Sequence, residues 1–400
     1  MSITPIDRPL AGEHVVGLAP ENAADASRWW LRRPNLFAGR TLTAPTLSAR
    51  QDWAARHIAL RGQAYTPGVV RGLETALFNN TAGGLAGTRL ALMQGQGLSV
   101  DGEDVRVLQA LEVALADLPV VADGSAFAGL GSAGGEGGDE LASTAAKVVG
   151  PTLGTVVAAL PDALPRVGIL LLQPVTADRI GEFDPSDPCA LDGCGKGNVI
   201  SFEDWRIGDA ARLLWYAWPE EFVSLPPLPS GAPGRWRNEL AWRIFDAERM
   251  LAADETLPWE AFGVPIGLVA CASDWTPLFL DRASVVRSGG RARYGRMGGA
   301  ADSLGIHWRL PALWQARFEQ LAEQIAAAAD PVPDAATLAA DYVRLPPFGL
   351  LPAHVVDLER LSSAFFPASF TLDAAPLPSE QLDAALAEAA SLAPLDLALG

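Results

Sequence analysis

Residues 123–141, DGSAFAGLGSAGGEGGDEL, interrupt the chain more sharply than any other segment. Glycine dominates them, and no large apolar side chain follows Leu130 until Leu141. Ordering such a stretch costs backbone entropy that its side chains cannot offset by burial. The sequence therefore predicts a glycine-rich linker over 123–150 with folded units on either side.

Before the linker, residues 1–26 are punctuated by Pro5, Pro9, Gly12, Gly17 and Pro20 and read as an irregular arm. A helix is expected after Thr43, a capping residue, with Pro45 in its first turn and Leu47, Ala54, Ala55 and Ile58 as its inner face up to Gly62. Over 66–110 the period shortens to runs split by Gly or Asn, a strand pattern, with Asp101-Gly102 suited to a hairpin turn. Residues 27–122 thus predict a small α+β domain. Beyond the linker, 166–175 (RVGILLLQPV) reads as a buried strand, 210–219 as a strand whose apolar run also suits a helix, and 235–252 as an amphipathic helix. Strands are expected at GVPIGLVAC and TPLFLD, a helix over 311–329 opened by Pro311, and a last helix over 379–392. The expected class is α+β, with β-rich modules and several amphipathic helices. The mixed domain spans 151–400, with a subdivision point in the Pro-rich 224–234 segment.

At 400 residues, 49% of them hydrophobic and 19% charged, the chain can bury a core. Thirty Lys and Arg against 47 Asp and Glu leave a net charge of −17, which disfavours a general phosphate-backbone binder and adhesion to an anionic membrane surface. No run reaches the roughly 18 apolar residues of a membrane helix. The N-terminus lacks a basic start followed by an apolar stretch, so the expectation is cytoplasmic assembly without a signal peptide. Three cysteines cannot staple a chain of this length, which suits a reducing compartment.

Motifs that could carry chemistry read more simply as structure. Gly129, Gly131 and Gly134 match a dinucleotide fingerprint, but a poor strand precedes them, and Glu136, Asp139 and Glu140 would repel a pyrophosphate. GCGKGN (193–198) lacks the phosphate-loop spacing and the hydroxyl that holds Mg²⁺. Cys189 and Cys194, near Asp184, Asp187 and Asp192, are the metal candidates, but zinc needs more ligands than the local sequence supplies. His307 and His354 are the candidate bases for a hydrolase, though each reads first as a structural histidine. The twelve tryptophans are expected to divide about equally between core and interface, and a row of exposed ones would suit carbohydrate. No cofactor is expected.

Five stretches, read in order, resemble one family. They are NLFAGRTLTAPTLSARQDW (35–53), Gly68-Val69-Val70-Arg71-Gly72-Leu73-Glu74, GQGLSVDGEDVRV, LPWEAFGVPIGLV (257–269) and FFPASFTLDAAPLPSEQLDAALAEAASLAPLDL (365–397). Together they resemble baseplate-associated structural proteins of phage-tail-like contractile injection systems. The chain departs from that pattern in the glycine-rich insertion at 129–138 and in the polar segment at 181–199. The resemblance implies a non-enzymatic subunit that contacts other baseplate, tube or sheath proteins or further copies of itself, without nucleic acid or membrane insertion. It carries over no catalytic residue. The aromatic and basic side chains best suited to such contacts are Trp29, Trp30, Arg32, Arg33, Phe37, Phe365 and Phe366.

Overall fold

The computed structural model describes residues 43–79, 84–130, 147–178, 207–228, 233–251, 255–293, 309–327 and 342–346, with residues 378, 381, 385, 388, 389 and 392–396 near the C-terminus. The architecture is α+β with several sheets. Two compact units divide the chain, Met1–Arg61 and Gly62–Gly400.

In the first unit the expected helix forms as α1 (Ala44–Gly62). The Leu47 amide donates to the Thr43 carbonyl at 3.1 Å, and the Thr43 and Thr46 hydroxyls meet at 3.0 Å. Its inner face differs from the expected one. Leu47, Ala54, Ala55 and Ile58 are all exposed, and the half-buried positions are Thr46, Ala49, Trp53, His57 and Ala59. Spacings of three and four put Thr46, Ala49, Trp53 and His57 on one face, where the Trp53 and His57 rings lie 4.2 Å apart.

The second unit begins with three long, bent strands. β1 (Gly68–Gly72), β4 (Gly95–Leu98) and β5 (Asp104–Val107) form one antiparallel sheet; β2 (Thr75–Asn79), β3 (Thr88–Leu92) and β6 (Leu111–Ala114) form another. The ladder continues across the bend, with Leu73 N–H donating to Gln94 O at 3.3 Å and Met93 N–H to Glu74 O at 2.9 Å. Gly72 and Leu73 both adopt φ 60°, and a Cβ on Gly72 or Gly95 would collide with the facing backbone. Glycine at both positions lets one ribbon serve two sheets. The turn at Asp101-Gly102 joins β4 to β5 as expected.

The central sheet has six strands in the order β12-β11-β9-β10-β7-β8. They are β7 (Pro119–Asp123), β8 (Lys147–Thr152), β9 (Val167–Asp178), β10 (Ile207–Ala217), β11 (Val264–Cys271) and β12 (Pro277–Asp281). All pairs are antiparallel except β10 with β7. The 210–219 segment is therefore a strand. The glycine stretch does not separate two domains at this point. β7 and β8 flank it and pair, Val121 opposite Val149 and Asp123 opposite Lys147, and β7 lies beside β10. A pairing between residues nearly a hundred positions apart leaves no mark on local composition, so the expected boundary falls within one sheet.

At the middle of the sheet both faces are buried, which accounts for the near-continuous apolar runs of β9 and β11. On β9, Leu170 and Leu172 join Trp215, Leu73, Leu90, Leu92 and Val105 under the small sheets, while Val167, Ile169 and Leu171 join the opposite cluster. On β11 the alternation changes parity. Val264 and Ile266 face the first cluster, but Leu268 and Ala270 face the second, because the register shifts between Pro265 and Gly267. Gly168 on β9 is enforced by packing, since any Cβ there would enter the Trp215 indole.

Besides the single turn Gly84–Gly87 and three short 3-10 turns, three longer helices are described in this unit. α2 (Leu153–Ala159) buries Leu153 and Val156 in the first cluster. α3 (Pro233–Arg249) lays Trp236, Leu240 and Ile244 on the second, a spacing of four that keeps one stripe on the sheet. Its neighbouring stripe, Ala241, Trp242 and Phe245, packs on Leu313 and Ala316 of α4 (Arg309–Ala327). Asn238 on α3 accepts from the amides of Val343 and Arg344 and donates to the Arg344 carbonyl, fixing β13 (Arg344–Leu345), which pairs with β14 (Leu395–Asp396). Most of the helix expected over 379–392 lies outside the described residues.

Candidate functional site

Most residues singled out in the sequence fall outside the described part of the chain: Trp29, Trp30, Arg32, Arg33, Phe37, Phe365 and Phe366, the cysteines Cys189 and Cys194, and the histidines His307 and His354. Of the twelve tryptophans, Trp29, Trp30, Trp205 and Trp308 do as well. The other eight are not split between core and surface. Trp215, Trp218, Trp236, Trp242, Trp259, Trp275 and Trp314 are buried, and Trp53 is half-buried. Three of them satisfy the indole N–H on a backbone carbonyl: Trp218 on Val223 (2.6 Å), Trp236 on Pro226 and Trp275 on Pro161 (both 3.0 Å). These side chains fill space between sheet and helices, where an indole buries a large area with few rotamers to lose. Among the described residues, no row of solvent-facing indoles is available to stack on a sugar.

The densest charge lies between α3, α4 and the segments flanking β11 and β12. Arg287 forks onto Glu248 of α3, with Nε 3.1 Å and Nη2 2.6 Å from Oε2. Its remaining donors reach the carbonyls of Ala283, Ser284 and Val286 at 2.8–2.9 Å. Arg309, at the start of α4, forks onto Glu260 at 2.9 and 2.7 Å and lies 3.8 Å from Glu248. Glu260 also accepts the Leu257 amide at 2.9 Å, which closes the turn before β11. Nearby, Arg237 bridges Asp281 (3.3 Å) and Glu323, while Gln320 donates to Asp281 at 3.0 Å. Burial works against the charge of Arg237 and of Arg309, but Asp281 and Glu323 around the first, and Glu260 and Glu248 around the second, outweigh it and hold both above the ordinary arginine value. Arg317 stacks 4.9 Å over Trp242, and burial lowers its pKa to about 10.

Chemically this is a clamp. Glu248 and Glu260 are buried and held by guanidinium forks, so their oxygens are occupied by donors from the chain itself. One signal of it was legible: Glu248 stands four residues after Ile244, on the buried stripe of α3, where an acid needs a partner. Its partners Arg287 and Arg309 lie 39 and 61 positions away and had no such signal. The one described cysteine, Cys271 on β11, is buried, and burial raises its thiol to about 12, so it is protonated at neutral pH. Among the described residues, no three His, Cys, Asp or Glu side chains converge as metal ligands, and no helix is long and apolar enough to cross a membrane.

The most exposed apolar helix is α1. Ile58 is 65% exposed, Leu47 46% and Leu60 41%, and none of its described side chains is buried. Arg50 and Arg61 flank these residues in the open. No protein-family model matches the chain, and no curated protein matches it either.

Proposed function

We propose that this protein is a non-enzymatic structural subunit of the baseplate of a phage-tail-like contractile injection system, assembled in the cytoplasm and acting through contacts with baseplate, tube or sheath proteins. The observation that carries the contact role is α1. A helix of 19 residues is marginal in water by itself and draws its stability from packing an apolar face. Leu47 and Ile58 lie open on one side of the helix and Leu60 on the other, and covering what remains exposed of Leu47 and Ile58 would contribute about 1–2 kcal/mol each. A neighbouring subunit of the particle is the surface that would cover it. The baseplate setting rests on the order of the five sequence stretches that resemble this family. The buried ion clamp suits the same role, since it stiffens the second unit without presenting a reactive group.

The test uses particles. Electron microscopy of a strain lacking this chain should show no complete injectors. Ile58→Asp with Leu60→Asp should cut co-purification with baseplate neighbours by about tenfold or more, the equivalent of ~1.4 kcal/mol. The melting of the second unit should not change. Complete, firing particles without the chain, or turnover by the isolated chain, would reject the reading.

A further inference from the structure

A cavity of about 310 Å³ opens beside the ion clamp, lined by Arg282, Arg287 and Ser288 after β12, by Glu319 and Glu323 of α4, and by Val69 of β1. Among the described residues its charges are only partly matched. Arg287 is spent on Glu248 and three carbonyls. Glu323 is engaged on one side by Arg237, and Glu319 accepts one hydrogen bond, from Gln315 at 2.6 Å. Arg282 lies close enough to Glu323 to favour that carboxylate's charge. Its backbone carbonyl accepts from the Val285 and Val286 amides, which fixes where its side chain starts. Its Nε is buried without a hydrogen-bond partner among the described residues. A buried guanidinium N–H left unpaired is costly, and among the described residues neither carboxylate has all its lone pairs engaged.

We propose that this cavity binds a small zwitterion, a free amino acid or a dipeptide, with the ligand carboxylate on Arg282 and its ammonium on Glu319 and Glu323. The sign pattern selects this class. A simple anion would face two carboxylates, and a simple cation would face Arg282. Only a ligand carrying both charges can pair with each wall. Val69, Ala283 and Val286 leave an apolar wall for a short aliphatic side chain. The raised pKa of Glu323, due first to burial and then to Asp281, is consistent with a carboxylate that an ammonium would help to ionise.

The experiment measures melting and calorimetric binding of the full chain with L-valine and with L-alanyl-L-alanine. Acetate and methylammonium are the single-charge controls. One of the two zwitterions should raise the melting temperature and bind at least tenfold more tightly than either control, and which one does so decides between amino acid and dipeptide. Arg282→Ala should abolish the shift, Glu319→Gln should weaken binding tenfold or more, and Arg282→Lys should restore part of what Ala removes. Arg282 Nε has no hydrogen-bond partner among the described residues, and the melting curve of the unliganded Arg282→Ala protein should show that it still folds. No binding by either zwitterion, equal binding by acetate, or an undiminished shift in Arg282→Ala would overturn the proposal.

Discussion

Tyr216 on β10 carries a hydroxyl that is buried without a hydrogen-bond partner among the described residues. Burial first, and then Glu221 and Asp123, push its pKa above the ordinary value of 10.0. For an acid raised in this way the folded state keeps its proton after the unfolded chain has lost it. The effect is nil below the unfolded value, and stability falls as pH climbs past it. Cys271 acts in the same direction, beginning near its ordinary value of 9.0 and continuing toward about 12. Alkali should therefore unfold the second unit progressively above pH 9. Tyr216→Phe removes an unpaired hydroxyl and one of the two groups responsible. Chemical denaturation at pH 7 should show equal stability or a gain of about 1 kcal/mol, and the alkaline loss should become shallower. A clear loss at pH 7 would mean that the hydroxyl has a partner.

Among the elements, α3 depends most on side chains distant in sequence. One stripe lies on the sheet, a second on α4, and between them Glu248 draws in Arg287 and Arg309. The net value of such a buried pair is small, because desolvation opposes the attraction, but removing one partner strands the other. Glu248→Ala should destabilise the unit by about 3–5 kcal/mol in a denaturation experiment. Loss of that size separates a closed clamp from an exposed pair, which would cost under about 1 kcal/mol. Most elements themselves could be read from the chain: α3 and α4 from their period, β9, β11 and β12 from their apolar runs, and the β4–β5 turn from Asp101-Gly102. β7 and β8 could not, because Pro119–Asp123 and Lys147–Thr152 are short and hold their places through neighbours. The inner face of α1 was misread because Leu47 and Ile58 are apolar without being buried.

At the scale of the molecule, pairing across the glycine stretch makes a prediction about fragments. If 123–150 were a linker between independent domains, separately expressed pieces 1–138 and 139–400 would part. Since β7 sits between β10 and β8, co-expressed pieces should co-purify as one complex and melt together. Fragments that elute apart, each folded, would contradict the sheet order. Alternation and helical period, both properties of neighbours along the chain, let the amino-acid sequence settle the α+β class and the identity of most helices and strands. The tertiary structure alone decided that β7 joins the central sheet, that seven tryptophans are core, and that Glu248, Glu260, Arg287 and Arg309 meet. These are encounters between residues tens of positions apart, and their energy appears only once the backbone has brought them together and excluded water.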